Sequence, residues 1–336
     1  MAQELSQLNP GPEWLAHRYD PIHDAVHFLV ADRDLRQSSP FLTDEHLPAG
    51  NEPLIVRRSE LRIERKRVHF IFHSAYCCST LLASALDIAG HAMALKEPVL
   101  LNDIVGWRQR RAAPDAVSQV LDDGLSLLAR PFLPDEATII KPSNVANGLA
   151  TAMMTLRPQA KAILLYAPLE AYLASIARKG MTGRLWVREL LSRQMVDGLI
   201  DLGFSPKDYL LQTDLQVAAI GWLAQFKLFA DMATRWPDRV RTLDSEVLTQ
   251  NPKYALQIAS SFFDMSPSDE ALTAIVDTVF ARNSKDGSYF ASGQRDSDRN
   301  KGMTLHAAEI EQVRDWAWAV ARHAGVPITL AEPLIS

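Results

Sequence analysis

The stretch His69-Phe70-Ile71-Phe72-His73-Ser74-Ala75-Tyr76-Cys77-Cys78-Ser79-Thr80-Leu81-Leu82 constrains the fold more than any other part of the chain. Phe70 to Phe72 is apolar without alternation, which suits a strand covered on both faces. A polar turn follows, and Ser79-Thr80 opens the amphipathic run Leu81-Leu82-Ala83-Ser84-Ala85-Leu86. A strand that turns directly into a helix aims free backbone N–H groups and the positive end of the helix dipole at the turn. The turn therefore suits an anion such as a phosphate, and the hydroxyls of Ser79 and Thr80 add donors. The nucleotide pattern G-x-x-x-x-G-K-[ST] is absent, with neither glycine nor lysine in the turn. The same residues also read as an ordinary strand-to-helix connection capped by Ser79.

Beyond this segment strand and helix patterns alternate. A helix over 79–90 stops at Gly90, and a strand over 92–95 runs into Lys96-Glu97-Pro98. Helices fill 99–111 and 114–130, and a strand over 137–140 leads into Lys141-Pro142-Ser143-Asn144 and a helix through Met154. A strand over 161–166 precedes a helix opened by Pro168. Two long helices near 184–201 and 213–235, a short strand over 239–243 and helices near 252–263, 268–281 and 305–324 complete the pattern, with a loop over 283–303. Residues 1–66 read as a peripheral lead-in, loop-like over 42–51, and 67–336 as one domain. The fold class is α/β, a central parallel sheet flanked by helices with a helix-rich C-terminal half.

Composition narrows the function classes. A formal net charge of -5 gives no bulk support to a nucleic-acid role. No apolar run is long enough to span a bilayer, and the opening residues lack the regions of a secretion signal, so no membrane partner and a cytoplasmic location are expected. The two cysteines, Cys77 and Cys78, are adjacent and make neither a disulfide framework nor a zinc site; no metal is expected. Oligomeric state is not encoded legibly, and a homodimer stays open.

In parallel sheets ligands sit outside the carboxyl ends of the strands. The odd polar residues fall there: Ser74 to Thr80, Glu97, and Lys141 with Ser143. With neighbouring strands, these ends and the one near Ala167 converge on one crevice.

Over roughly residues 68–265 the chain resembles the P-loop sulfotransferases, in a divergent bacterial-type form. Tyr76-Cys77-Cys78-Ser79-Thr80-Leu81-Leu82 is similar to the family's 5′-phosphosulfate loop, [KR]-S-G-T-T-x-L. Ser79, Thr80 and Leu81 fit, while Tyr76 and Cys78 stand where the cation and the glycine would be. Glu97-Pro98 matches the glutamate that serves as proposed general base in the tyrosylprotein and related bacterial branches. Tyr166-Ala167-Pro168-Leu169-Glu170-Ala171-Tyr172-Leu173-Ala174-Ser175 looks like the 3′-phosphate segment R-D-P-R-D-x-x-x-S without its arginine. Leu243-Asp244-Ser245-Glu246-Val247-Leu248 to Pro252 resembles the structural segment Y-E-D-L-x-x-D-P.

The resemblance implies a three-layer fold of the P-loop nucleoside triphosphate hydrolase type. It also implies 3′-phosphoadenosine 5′-phosphosulfate as co-substrate and a small-molecule hydroxyl or amine acceptor. It casts the loop residues Tyr76, Cys77, Cys78, Ser79, Thr80 and Leu81 as the phosphosulfate cradle and Glu97 as the base. Lys141 is the substitute cation, and His73 a second candidate. Ser175, and Arg178 three residues on along the same helix face, are assigned to the 3′-phosphate. Arg178-Lys179-Gly180-Met181-Thr182-Gly183 spells R-K-G-x-x-G, a signature that lies near the C-terminus in the family, so the match reads as accidental. The 283–303 loop, with Lys285, Arg295, Arg299 and Lys301, is the better positional analogue. Each residue also has an ordinary reading: a strand-end lysine, a packed histidine, a pre-proline carboxylate, a solvated helix arginine. Two alternatives stand beside transfer: a P-loop kinase-like phosphotransferase, and a degenerate member that binds a nucleotide or partner without chemistry.

Overall fold

The computed structural model describes residues 8–48, 52–281 and 306–335. Its centre is a five-stranded, all-parallel sheet made of β4 (Val68–His73), β5 (Ala92–Lys96), β6 (Ala137–Lys141), β7 (Ala162–Tyr166) and β8 (Val240–Asp244), in the order β5-β6-β4-β7-β8. Side chains of successive residues leave opposite faces. Ile71, Ile139, Ile163 and Leu165 enter one core, and Phe70, Phe72, Ile140 and Leu164 enter the other. Both faces are therefore dry, as the unalternating apolar run at Phe70–Phe72 requires.

Four strand–helix connections build the layers. On the first face lie α2 (Ser79–Ala85), α6 (Leu169–Arg178), α7 (Gly180–Val196) and most of α8 (Asp214–Arg235), with Tyr172, Val187 and Trp222 buried there. On the second lie α3 (Val99–Gln109), α4 (Pro114–Leu128) and α5 (Ala150–Leu156), with Leu101, Leu121 and Met153. The last helix, Ala307–Ala324, closes the first face through Ile310, Val313 and Ala317.

The described residues before β4 carry strands of their own. Strands β1 (Trp14–Asp20), β2 (Ala25–Val30) and β3 (Leu54–Arg57) form an antiparallel sheet, and Leu15, Phe28 and Val56 join the second core. The helix α1 (Arg33–Ser38) is stapled to the central sheet. Arg33 reaches Glu136 at 2.6 Å and Asp87 at 3.0 Å, and Lys96 Nζ donates to Gln37 O at 2.7 Å.

That staple also explains why α2 ends at Ala85 instead of continuing to Gly90. Asp87 is drawn into the buried ion pair with Arg33, and Gly90 adopts φ +83° in the turn that enters β5. The 3₁₀ turn Asn144–Leu149 likewise replaces the start of the helix expected after Asn144. Strands β4 to β8 and the other helices expected from periodicity fall within a few residues of their places, and a short helix at Pro206–Leu211 is additional. Among the described residues no helix is long and apolar enough to cross a membrane.

Candidate active site

The order of the central sheet makes β5, β6, β4 and β7 consecutive neighbours, so their carboxyl ends share one edge. After β4 the chain makes an unusual turn. Ala75, Tyr76 and Cys78 all take positive φ, at 71°, 51° and 62°, without a glycine among them. Three left-handed residues in four turn the backbone sharply between β4 and α2, and concave turns of this kind can cradle anions. Cys78 is the N-cap of α2 and lies in the left-handed region, the conformation glycine adopts without strain. Ser79 is therefore the first residue of the helix and not its cap. Both Ser79 and Thr80 are buried at the loop's base, with Leu81 packed beneath them.

The loop is anchored from below. Ser74 N donates to Leu165 O at 3.1 Å, and Ser74 Oγ accepts from Ala167 N at 3.2 Å. Cys77 is buried with its Sγ 3.4 Å from Leu165 O, and burial pushes its thiol up to about 12. It stays protonated and is a packing residue. Cys78 is exposed.

Cys78→Gly should raise stability by roughly 0.5–1 kcal/mol, the left-handed penalty less the extra flexibility of glycine in the unfolded chain. Cys78→Val should lower it, because a β-branched side chain fits this region worst. Urea midpoints at unchanged slope decide the point, and a glycine variant less stable than the parent contradicts it.

Beside the loop sit the two residues that sequence spacing selects for chemistry. Glu97, itself at φ +54°, follows β5, and Lys141 ends β6; Glu97 N donates to Lys141 O at 2.7 Å. The Lys141 ammonium donates to Glu97 Oε1. Lys141 is fully buried, whereas the Glu97 side chain keeps 21% of its exposure, so the carboxylate is the member that an incoming molecule reaches. Burial lowers the Lys141 pKa below the ordinary lysine value, and the Glu97 charge opposes that shift without cancelling it. Glu97 Oε1 lies 3.9 Å from Nε2 of His73, the residue from which the loop starts, and this places the pair beside the loop. Among the described residues no group of three or more His, Cys, Asp or Glu side chains is placed to hold a metal ion.

His73 takes a different role from the cation expected of it. Its Nδ1 accepts from Ala75 N at 3.2 Å, so Nε2 carries the hydrogen that meets Pro142 O at 3.0 Å. That is a neutral ring, tying the start of the loop to the residue after Lys141. Its Nε2 lies 3.9 Å from Glu97 Oε1, within the site but as a positioning group.

The site also uses residues that spacing does not reveal. Asn147 Nδ2, buried in the 3₁₀ turn, donates to His73 O at 3.0 Å and to Gln225 Oε1 at 2.9 Å. Phe41 places its ring 5.2 Å from Lys141 Nζ. The next residue is pinned to the end of β5, with Leu42 N to Lys96 O at 2.7 Å and Val99 N to Leu42 O at 3.2 Å. A single aromatic in a Ser-Pro loop has no periodicity to announce this contact.

The second anion position is less built. Ser175 and Arg178 share α6, but Ser175 Oγ donates to Ala171 O at 2.9 Å and Arg178 is exposed at the last turn. Tyr166 and Ala167 are the two residues standing where the resemblance would have an arginine: Tyr166 ends β7 half-buried, and Ala167 is buried with its carbonyl accepting from Trp222 Nε1 at 2.9 Å. Lys285 and the rest of the 283–303 loop lie outside the described residues.

No family model matches this sequence, and comparison with curated proteins finds no match. Among solved structures, the sulfotransferase domain of a Synechococcus olefin synthase is 15% identical, with a TM-score of 0.41 over 70% of this chain and 84% of that one. The sulfotransferase domain from the curacin biosynthetic pathway is 14% identical, with a TM-score of 0.41 over 67% and 82%. A sulfotransferase from Mycobacterium avium is 11% identical, with a TM-score of 0.43 over 76% and 78%. At these scores the likeness assigns no activity, and the geometry of the site has to carry the reading.

Proposed function

We propose that this chain is a sulfotransferase-like enzyme, moving a sulfuryl group from 3′-phosphoadenosine 5′-phosphosulfate to a hydroxyl or amine of a small acceptor. The observation that carries the reading is the Lys141–Glu97 pair, held beside the left-handed loop at adjacent strand ends. An anion cradle, a buried cation and a reachable carboxylate are the three groups that this transfer asks of a protein.

Sulfuryl transfer passes an electron-poor group in line between two oxygens, or from oxygen to nitrogen, so alignment and charge stabilisation dominate. Backbone N–H groups of the loop, with the Ser79 and Thr80 hydroxyls, would hold the phosphosulfate. Glu97 accepts the proton of the acceptor O–H or N–H as the new bond to sulfur forms. The bond between sulfur and the bridging oxygen breaks, and that oxygen leaves with adenosine 3′,5′-bisphosphate. Lys141, fully buried behind Glu97, would favour the departing oxygen through its charge and not by direct contact. His73 and Asn147 keep the loop and the end of β6 in register during the step.

Mass action gives the direct test. Adenosine 3′,5′-bisphosphate at 100 times its Kd should add about 2.7 kcal/mol of stability, seen as a melting temperature several degrees higher. Stabilisation only by ATP with magnesium would favour a kinase-like phosphotransferase instead. No response to either ligand overturns the reading of this edge as a nucleotide site.

A further inference from the structure

The loop after β4 carries no cation of its own, since Tyr76 stands where a basic residue would face the 5′ end of the nucleotide. We infer that Lys179, delivered from the junction of α6 and α7, supplies that missing charge to the 5′-phosphate side of the site. The inference rests on the proposed function and deepens it.

Three observations place Lys179 there. First, its Nζ lies 5.8 Å from the centroid of the Tyr76 ring, over the loop's own side chain. The ring is wedged between Tyr172, at 6.0 Å, and Trp186, at 5.4 Å and nearly perpendicular, so it offers the ammonium a fixed platform. Second, Lys179 is the residue at which α6 ends and α7 begins, and Gly180 takes φ +56° to turn the chain between them. Third, a Cβ on Gly183 would fall 2.7 Å from Ile176 O and 2.8 Å from Lys179 Cβ. Only glycine lets the first turn of α7 close against the lysine stem. The sequence Lys179-Gly180-Met181-Thr182-Gly183 thus has a local physical purpose, which is to hold one ammonium over the loop. Among the described residues no carboxylate is paired with Lys179, so its charge is directed at nothing else there.

The test is a binding cycle on the full-length chain, by calorimetry at low salt. Wild type and Lys179→Met are each titrated with adenosine 3′,5′-bisphosphate and with adenosine 3′-monophosphate. Lys179→Met should weaken the bisphosphate roughly 10- to 100-fold, the range for losing one charge-assisted contact. It should leave the 3′-monophosphate within about twofold. Lys179→Arg should keep most of the bisphosphate affinity, and Tyr76→Lys placed in the Lys179→Met background should restore it. Bisphosphate affinity unchanged in Lys179→Met overturns the inference while the proposed function stands, and so does an equal loss for both nucleotides. A wild-type chain that binds neither nucleotide removes the proposed function, and this inference falls with it.

Discussion

Glu97→Gln is expected to lower turnover by about a thousandfold, within the 10²- to 10⁴-fold range for removing a positioned base, while leaving affinity for adenosine 3′,5′-bisphosphate within about twofold. The glutamine side chain keeps the shape and one carbonyl oxygen for the Lys141 ammonium, so the pair loses its charge but not its contact. Removing one member of a buried pair outright typically costs about 3–5 kcal/mol, because the other charge is left stranded. The charge left behind in Glu97→Gln is the fully buried Lys141 ammonium, so the variant should also lose stability, tempered by the amide oxygen that still accepts from it. The catalytic loss is therefore read as kcat under conditions where the urea midpoint shows the variant folded.

A second consequence concerns pH. Burial already holds the Lys141 pKa below the usual lysine range, and the carboxylate is the largest influence that opposes it. Activity that needs the Lys141 cation should decline on the alkaline side at a lower pH than an ordinary lysine would give. In Glu97→Gln the residual activity should decline lower still. Unchanged turnover in the variant would remove Glu97 from the chemistry, and an unmoved alkaline limb would remove the coupling to Lys141.

The legible parts of this chain are those where local pattern and tertiary structure agree. Phe70 to Phe72 announces a strand buried on both faces, and the alternation of strand and helix from residue 68 onward predicts a parallel sheet. The sheet order brings Ser74–Thr80, Glu97 and Lys141 to one edge, where strand-end reasoning puts them. Conformation at Cys78 was not legible. The backbone takes the left-handed state that glycine favours, and a cysteine gives no hint of it.

The N-terminal sheet was illegible for a physical reason. In Trp14–Asp20 the register shifts between Ala16 and Arg18, and the shift turns His17 inward, to 3% exposure beside the apolar Leu15 and Ala16. A bulge breaks the alternation by which a strand is recognised. The buried His17 is held by Asp44 at 2.6 Å, a contact 27 residues away that no local pattern encodes. Phe41 over Lys141 belongs to the same class of long-range contact. Its segment reads as loop because it is loop, and its position comes from Lys96 and Val99 backbone groups on the central domain.

His69 should make the fold acid-sensitive before its carboxylates do. The residue is almost fully buried at the start of β4, with its ring stacked on Phe263 at 5.1 Å and 27°. Its Nδ1 accepts from Lys161 N at 3.1 Å, while Nε2 has no partner among the described residues. Burial pushes its pKa down to about 4, with Arg67 and Lys161 acting in the same direction and Asp264 against it. In the unfolded chain the ring titrates near its ordinary value of about 6.5. Between those limits the unfolded state binds a proton that the folded state refuses, so stability falls as pH falls through the window. It is fully retained above about 6.5, and the loss reaches about 3 kcal/mol near pH 4.

His69→Phe isolates this contribution from the carboxylates, which titrate alike in both proteins. The variant gives up the hydrogen bond from Lys161 N, a cost of about 1 kcal/mol that does not depend on pH. It keeps a ring to stack on Phe263. Urea unfolding at pH 7.5, 6, 5 and 4.5 should show the parent losing stability faster than the variant, so that the two curves converge or cross toward acid. Parallel curves across that range would mean that His69 accepts its proton in the folded protein at no cost, and that the strand does not bury it as described.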